Sequence, residues 1–461
     1  MPITRREFLA ASAAIAGVPG LESGAWAAPI PRQADIVVIG AGAAGIAAAR
    51  RIQAANRTVI VVEADSRLGG RCWTDGGTFD VPFDRGARWL HNPETNPMAR
   101  LARSAGLDIS AAPLGQKIRI GRRFARAGET EQFLAALVRA NRAIDDAARG
   151  GKPDVACESA LPKDLGDWAG TTEFVLGANA VGKDLGEVSV MDKARAQDRM
   201  AAIGCRQGLG ALMTKLAAPL PVALSTPAHQ VIWNNREVSV ETPAGRIAAR
   251  AAIVTVSSNV LAAGNIRFTP EPKRQLDAAA RLSLGSYDRI ALVLPGNPLA
   301  LAHDEALIEQ SNSTRTALLS ANVGGSSLCL IDVGGSFGRD LSSQGEAAMV
   351  AFAQEWLTKL FGSDPALAVK KSSVTRWNAS PHILGAMSVA APGGEPSRKI
   401  LAEPAGNLFL AGEATHETLW GTVDGAWESG ERAAEAALRK IGALGEPSPP
   451  ARTTAKRRRT R

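Results

Sequence analysis

The chain has 461 residues, of which 45% are apolar and 21% are charged, and its formal net charge is +8. This length and composition exclude a disordered, fibrous or minimal single-core protein and indicate at least two well-packed domains. Much of the positive charge lies at the two ends, in Arg5 and Arg6 and in the run 456–461, so the body between them is nearer neutral and requires no nucleic-acid partner.

The first 28 residues predict an export signal that is separate from the fold. Residues 4–9 have a twin-arginine pattern, a short Ala-rich apolar stretch follows at 8–18, and a small-x-small site at 25–27 permits cleavage before Ala28. The apolar stretch is too short for a permanent anchor, and we expect no membrane span. Because twin-arginine export moves folded proteins, we expect a periplasmic protein.

A strand–helix–strand unit comes next. Residues 34–39 form an apolar, β-branched run, 46–55 an Ala-rich helical stretch, and 58–62 a second β-branched run. The order and the short connections predict a βαβ unit of about thirty residues.

The turn of this unit carries a glycine fingerprint for the diphosphate of a dinucleotide. Gly40 permits the tight turn, Gly42 lets the backbone approach the pyrophosphate, and Gly45 lets helix and strand pack closely. Ala44 lies inside the same turn, which delivers the diphosphate to a helix N-terminus. Glu63, at the end of the second strand, is placed to accept hydrogen bonds from the adenosine ribose.

The rest of the chain alternates between helical and β-rich patterns. Residues 96–206 are mostly helical in pattern, and further runs predict strands and one long helix. The predicted strands are 222–224, 230–233, 238–242, 252–256, 289–294 and 328–333, and the helix is 345–361.

We therefore expect an α/β protein (α+β overall). Its Rossmann-like dinucleotide domain is assembled from separated segments of the chain, and a substrate domain of mixed sheet and helices is inserted between them. The chain divides in this prediction into the signal 1–28, the dinucleotide domain 33–95, 205–265 and 376–444, the substrate domain 96–204 and 266–375, and a basic disordered tail 445–461.

Residues 63–74 resemble the second fingerprint of the flavin-dependent amine oxidase superfamily. The resemblance rests on Ala64 and on Gly69, Gly70 and Arg71, which in that family pass close to the diphosphate and ribityl chain. Nicotinamide enzymes do not usually carry this extension, so the resemblance implies FAD.

A second segment, 84–93, looks like the flavin-contacting turn of polyamine and spermine oxidases. It implies FAD contacts from Gly86, Ala87, Arg88 and Trp89.

Two later segments extend the resemblance. Strands within 227–256 are similar to the adenine-side β segment of the family, with Val231 as the implied backbone contact to adenine. Residues 407–415 look like the C-terminal FAD motif, in which Gly412 and Glu413 are expected near the pyrophosphate or the ribityl hydroxyls.

The residues after this motif start a helix. Thr422 and Val423 stand at its beginning, and a helix N-terminus aimed at the flavin would stabilise the negative charge of the reduced ring. Trp377 is expected to pack against the isoalloxazine or the core. The family attaches flavin covalently through a cysteine, and since residues 385–387 contain none, we expect non-covalent FAD.

The resemblance implies oxidation of an amine by hydride transfer from the carbon next to nitrogen to flavin N5, giving an imine that water hydrolyses to an aldehyde or ketone. Many relatives flank the substrate with two tyrosines, whereas this chain has a single one, Tyr287, and Met387 stands where an aromatic residue is usual. Thr422 takes the other position, and Trp420 and Trp89 are the candidates to supply aromatic surface instead.

Two further candidates are Arg289 and His91. Relatives often hold a lysine near flavin N5, and that position falls on Arg289, which is expected to position a water, bind a substrate carboxylate or simply flank a strand at the surface. His91 follows the flavin-contacting turn, where polyamine oxidases have an active-site histidine, and the alternative is a structural role. His416 is expected to be structural.

Alternatives remain open at this stage. One is an L-amino-acid oxidase or another flavin oxidoreductase of the same fold, and another is an inactive flavoprotein that serves binding or electron transfer, for which Ser257 and Ser258 in place of a usual proline are an argument. The partners expected are a small amine and either oxygen or a periplasmic redox protein; the sequence predicts no metal site and leaves the oligomeric state open. The four widely spaced cysteines are expected to be buried free thiols.

Overall fold

Two mixed sheets organise the protein, and the first is built on a strand that is buried on both faces. In the computed structural model, which describes residues 31–113, 115–151, 153–199 and 201–444, residues Gln33–Ile39 pair in parallel with Val59–Val62 on one side and with Gly245–Val254 on the other. Its continuous Val and Ile run is what a central parallel strand requires, because helices cover both faces. The first sheet of the described residues has eight strands, in the order Val222–Ala223, Val59–Val62, Gln33–Ile39, Gly245–Val254, Val238–Thr242, Gln230–Trp233 and Arg267–Thr269, with Leu408–Leu410 also paired to Gly245–Val254.

The second sheet comes mostly from the segment predicted to hold the substrate. Its strand Tyr287–Val293, the second from one edge, is antiparallel to both of its neighbours, and a helical layer packs on a core that includes Trp356 and Leu357. The seven strands of this sheet in the described residues are Lys371–Val374, Tyr287–Val293, Leu328–Gly334, Leu318–Ala321, Glu305–Glu309, Lys117–Ile120 and Arg123–Phe124.

Two smaller sheets are formed by short strands outside the two main sheets. A two-stranded ladder joins Thr74–Asp75 to Phe83–Asp84, and a three-stranded sheet has Ala202–Cys205 between Leu90–His91 and Ile109–Ala111. The sequence pattern between 96 and 206 predicted mostly helix. The structure differs from this prediction in having strands at 109–111, 117–124 and 202–205. These strands are short, and all but Arg123–Phe124 have partners from distant parts of the chain, which a local pattern does not reveal.

The helices pack around the sheets. The first, Ala43–Ala54, lies against the last, Val423–Lys440, and they approach so closely that a Cβ on Gly430 would lie 2.1 Å from the Ala44 carbonyl oxygen. The α-helices are Ala43–Ala54, Pro97–Ser104, Ala127–Arg149, Cys157–Ala160, Ala169–Phe174, Val190–Arg195, Leu209–Ala217, Ser258–Ala262, Lys273–Ala280, Gly335–Ser343, Glu346–Phe361, Ser363–Leu367, Ser397–Ala402 and Val423–Lys440, and a π-helical turn spans Val175–Asn179.

The α/β prediction for the fold is confirmed: both sheets are mixed and both carry helical layers. The strand Arg267–Thr269 joins the first sheet, although the predicted substrate segment began at 266; the domain boundaries themselves stay predictions. None of the helices in the described part of the chain is long and apolar enough to span a bilayer. The predicted signal 1–28 and basic tail 445–461 lie outside the described residues.

Candidate functional site

A cavity of about 800 Å³ brings most of the predicted site residues together. It lies at the carboxyl ends of the parallel strands that end at Ile39 and Val62, where open α/β sheets bind ligands, and its far wall comes from the second sheet. The predicted residues that line it are Gly40, Gly42, Ala44, Glu63, Ala64, Gly69, Gly70, Arg71, Gly86, Ala87, Arg88, Trp89, His91, Arg289, Trp377, Gly412, Glu413, Thr422 and Val423.

The glycine turn has the geometry that a diphosphate needs. Gly40 has a φ of +106°, and a Cβ on Gly45 would lie 1.9 Å from the Gly40 carbonyl oxygen, so Gly45 lets the helix meet the strand and does not itself line the cavity. A Cβ on Gly42, in contrast, would meet nothing closer than 4.0 Å, the Gly69 carbonyl oxygen. The backbone at Gly42 is therefore open to a ligand at the N-terminus of the first helix.

Glu63 is held at the end of its strand by backbone donors. Ala41 N–H donates to Oε2 at 2.6 Å and Asp65 N–H donates to Oε1 at 2.9 Å. Burial nevertheless raises the pKa of Glu63 above its ordinary value. The side chain faces the same cavity as Ala64, where it has lone pairs left for a ribose hydroxyl.

Arg71 and Glu413 form an ion pair that joins two distant motifs. Arg71 Nη1 donates to Glu413 Oε1 at 2.8 Å, while Ser388 Oγ and Gly421 N–H donate to Oε2 at 2.6 and 2.8 Å. Burial alone would raise the pKa of Glu413, but Arg71 and these hydrogen bonds hold it below its ordinary value. Both residues line the cavity, so this ionised pair presents polar groups to a ligand.

The turn 86–89 packs tightly against its surroundings. A Cβ on Gly86 would lie 2.0 Å from the Arg71 carbonyl oxygen, and Arg88 pairs with Asp304 at 3.3 Å and stacks on Trp89. Trp377 is buried, and its indole N–H donates to the Arg85 carbonyl at 3.1 Å. Trp377 therefore packs in the protein with one edge on the cavity, as the packing interpretation expects.

The last helix begins at the cavity wall. Thr422 is its N-cap: its hydroxyl accepts from Gly425 N–H at 3.0 Å and donates to the Leu419 carbonyl at 2.7 Å. Because Thr422 and Val423 line the cavity, the positive end of the helix dipole faces it. Thr422 contributes through this cap and through its methyl group, since its hydroxyl is already used.

Arg289 is a buried member of an ion pair. The alternative that it flanks a strand at the protein surface is therefore wrong. Its side chain is 7% exposed; Nε and Nη2 donate to the two carboxylate oxygens of Asp332 at 2.7 and 3.0 Å. Nη1 donates to the Asp84 carbonyl. Since burial opposes the charge but Asp332 outweighs it, the pKa of Arg289 lies above its ordinary value.

His91 lines the cavity and keeps one of its ring nitrogens buried. Its Nδ1 is buried and has no hydrogen-bond partner among the described residues. Burial and the nearby Arg199 guanidinium lower the pKa of His91 to about 4, so the imidazole is neutral near pH 7. Tyr287 also lines the cavity, but its hydroxyl is directed to Asp332 at 3.1 Å.

Trp420 does not line the cavity, contrary to the prediction from sequence. Its side chain is 1% exposed, its indole N–H donates to the Asp192 carbonyl at 3.3 Å, and Arg398 stacks on its ring at 4.6 Å. Gly421, at a φ of +69°, turns the chain after it. The indole packs away from this cavity, and Trp420 lines a second cavity instead.

Val231 does not reach the cavity either. It is fully buried in the strand Gln230–Trp233, which has the Val238–Thr242 strand on one edge and Arg267–Thr269 on the other, so the ladder occupies its backbone. Ala228 and His229, just before this strand, line the cavity instead. The wall of the cavity therefore contains residues two or three positions before Val231.

Other residues have structural roles. His416 Nε2 lies 3.2 Å from Glu428, and its Nδ1 accepts from Leu419 N–H at 2.9 Å, away from the cavity. All four cysteines are buried free thiols. Among the residues that the structure describes, no group of three His, Cys, Asp or Glu side chains is arranged to hold a metal ion.

Sequence reasoning missed Arg199, which lines the cavity and also a second one of about 1050 Å³. Arg199 Nη2 donates to the Trp420 carbonyl at 2.6 Å. It lies in an irregular segment before the strand Ala202–Cys205 and belongs to no motif, so no local signal marks it. Asp332, in contrast, was detectable as an acidic residue inside an otherwise apolar strand.

Comparisons with known proteins agree with this geometry. The model of the family described as flavin containing amine oxidoreductase matches residues 43–137 and 154–438. The chain is 28% identical to polyamine oxidase 5 of Oryza sativa subsp. japonica over 448 residues, covering 88% of each chain. It is also 28% identical, over 441 residues, to lysine-specific histone demethylase 1 homolog 3 of the same plant, but it spans only 54% of that protein's length.

Solved structures give the same fold. A double mutant of a putrescine oxidase superposes with a TM-score of 0.76 at 19% identity, covering 88% of this chain and 99% of that one. Cyclohexylamine oxidase from Brevibacterium oxydans IH-35A superposes with a TM-score of 0.75 at 20% identity, covering 89% and 99%.

Proposed function

The chain belongs to the flavin containing amine oxidoreductase family, and we propose that it oxidises a small amine, to an imine that water hydrolyses, after export to the periplasm. FAD is its cofactor, and when bound it supplies the hydride acceptor for the carbon next to the amine nitrogen. The observation that carries the proposal is the single cavity in which the dinucleotide cradle around Gly42 continues to His91 and Met387.

The residues present fit FAD. The open backbone at Gly42 and the start of the first helix would hold the diphosphate, and Glu63 would hold the ribose. The Arg71–Glu413 pair would bind the polar middle of the cofactor, and the helix N-terminus at Thr422 would face the ring end.

The substrate end of the cavity disfavours a charged amine. His91 is neutral, the Arg289–Asp332 pair has no net charge, and Arg199 is a cation at the same wall. A substrate ammonium would be desolvated beside a positive guanidinium, which lowers its pKa. Since only the neutral amine has the lone pair that assists hydride loss, this environment favours the reactive form.

His91 is the candidate to orient the amine. Its Nδ1 is buried, so a hydrogen bond from the substrate nitrogen would be accepted at Nε2, with the ring proton on Nδ1. With its pKa near 4 it is too weak a base to remain protonated at neutral pH, so its role is positioning and the released proton passes to water. Trp89 and Met387 supply apolar surface in place of the usual aromatic pair.

An anaerobic stopped-flow experiment tests the function. The holoenzyme is mixed with primary, secondary and polyamines and with amino acids, and loss of the oxidised flavin absorbance is followed. Bleaching by at least one amine supports amine oxidation, whereas bleaching by none favours the inactive flavoprotein. Repeating the reaction with oxygen, and then with an artificial one-electron acceptor, separates an oxidase from a dehydrogenase that reduces a periplasmic redox protein.

A further inference from the structure

The second cavity has an unusual distribution of charge. Its wall contains four basic side chains and two acidic ones, which are Arg149, Lys193, Arg195, Arg199, Asp145 and Asp198. The two cavities share Arg199 and Ala180 in their walls, so they are adjacent at this point. A substrate in the first cavity therefore meets Arg199 in this shared part of the wall.

Two of the four cations are already paired. Arg149 lies 3.7 Å from Asp145 and 3.5 Å from Asp146, and Arg195 pairs with Glu395 and, at 3.7 Å, with Glu417. Their charges are therefore balanced by neighbours, and they contribute little net field at this site.

Arg199 and Lys193 are different. Among the residues that the structure describes, neither forms an ion pair within 4 Å. Burial lowers the pKa of Arg199, and Asp424 and Glu413 offset this only in part, since neither carboxylate lies within 4 Å of it and Glu413 is engaged with Arg71. Burial lowers the pKa of Lys193 and the positive charge of Arg199 lowers it further, while Asp145 offsets these effects only in part.

Two partly buried cations that repel one another need an anion to balance them. We propose that Arg199 and Lys193 form a subsite for an anionic group, and that the amine substrate of the enzyme carries a carboxylate that binds there. This rests on the proposed function and specifies its substrate class. Among the described residues, Nη2 is the one nitrogen of Arg199 that donates a hydrogen bond, to the Trp420 carbonyl, so Nε and Nη1 have donors for such a group.

The same geometry argues against Arg289 as the carboxylate ligand and against a diamine as the substrate. The donors of Arg289 are directed to Asp332 and to the backbone. A second ammonium group on the substrate would enter a cavity where cations outnumber anions and two of the cations are unbalanced.

A matched set of substrates tests the proposal. Pentylamine, 1,5-diaminopentane and 5-aminopentanoate share one carbon chain and end in a neutral, a positive and a negative group; butylamine and 4-aminobutanoate repeat the comparison with a shorter reach. Apparent Kd and the limiting rate of flavin reduction are measured anaerobically with the holoenzyme. We expect 5-aminopentanoate or 4-aminobutanoate to have the lowest apparent Kd of its set.

Variants then locate the subsite. Arg199→Met is expected to raise the apparent Kd of the preferred amino acid about 10- to 100-fold and that of the matching alkylamine by less than about 3-fold, since a charge-assisted hydrogen bond is lost only with the first. Arg199→Lys should restore part of the affinity, and Lys193→Met should give a smaller loss in the same direction. Arg149→Met, in the same wall but paired, should leave both substrates unchanged.

A ligand that cannot be oxidised separates binding from chemistry. Pentanoate binding to the oxidised holoenzyme is measured by calorimetry, and we expect it to weaken in Arg199→Met and to compete with 5-aminopentanoate. If pentanoate binds at Arg199 without this competition, the anion is a separate ligand and the proposal is wrong. Equal apparent Kd values within each set would also overturn the proposal, as would an equal loss of affinity for the amino acid and the alkylamine in Arg199→Met. In both cases amine oxidation itself stands. If no amine reduces the flavin, the proposed function is overturned instead.

Discussion

Arg289 and Asp332 are register partners on adjacent antiparallel strands, and their side chains form a two-pronged ion pair at 2.7 and 3.0 Å. The pair is buried, and the Tyr287 hydroxyl donates to the same carboxylate at 3.1 Å. Arg289 Nη1 also donates to the Asp84 carbonyl, at the start of the turn that lines the FAD cavity. The arginine therefore ties the second sheet to the cofactor side.

Removal of either member of this pair should destabilise the protein. Arg289→Met or Asp332→Leu leaves one buried charge without its partner, at a cost of about 3–5 kcal/mol in the free energy of unfolding. The double variant should lose much less than the sum, because no charge remains unpaired. Urea unfolding of the holoenzyme at fixed FAD measures all three, and additive losses would contradict the coupling.

Substitution of two glycines of the fingerprint should have different effects, one on FAD binding and the other on folding. Gly42→Ala places a methyl group in the open cavity, so the protein should fold while its affinity for FAD falls about 10- to 100-fold. Gly45→Ala places a methyl group 1.9 Å from the Gly40 carbonyl oxygen and should weaken the fold itself. FAD fluorescence titration and thermal unfolding of the apoprotein distinguish the two; equal melting temperatures for both variants would refute this assignment.

His91 should make stability depend on acid pH. Because burial and Arg199 lower its pKa from 6.5 to about 4, the unfolded chain binds a proton between these values that the folded chain does not. Stability from this residue is therefore complete above pH 6.5 and falls as the pH decreases to about 4, by up to about 3 kcal/mol.

The His91→Asn variant isolates this contribution. The difference in unfolding free energy between the parent and the variant should change across that pH range and be constant above it. A difference that does not change with pH would show that His91 titrates normally in the folded protein.

FAD should be released intact when the protein is denatured. The only cysteine among the described residues lining the cavity is Cys72, and burial raises the pKa of its thiol to about 12, so it is not a thiolate nucleophile. After acid precipitation, yellow colour in the supernatant and an apoprotein of unmodified mass are expected. Flavin retained in the pellet, with the matching mass increase, would demonstrate a covalent bond.

Export should depend on the arginine pair near the start of the chain. Replacing Arg5 and Arg6 by lysine keeps the charge but removes the twin-arginine pattern, so the precursor should accumulate in the cytoplasm of a bacterial host. Cell fractionation and the mass of the protein provide the measurement, with cleavage before Ala28 expected for the parent. Equal periplasmic amounts of parent and variant would exclude this route.

The cofactor half of the site was predictable because its signals are local. Gly40, Gly42 and Glu63 lie within one strand–turn–helix–strand unit, and the glycine spacing is imposed by backbone geometry that every ligand-binding turn of this kind shares. The position of Val231 depended on register, and the structure places Ala228 and His229 in the cavity wall instead, because the chain reaches the cavity before its strand begins.

The sequence by itself determined the dinucleotide cradle, the α/β fold and the family. Each of these is recognisable from short segments, because the glycine spacing and the apolar periodicity of a segment dictate its local backbone structure. The tertiary structure decided the partner of Arg289, the burial of Trp420 and the position of Arg199 between two cavities. These depend on contacts between segments that are distant along the chain, where the energy of a charge is set by whichever group the fold brings beside it.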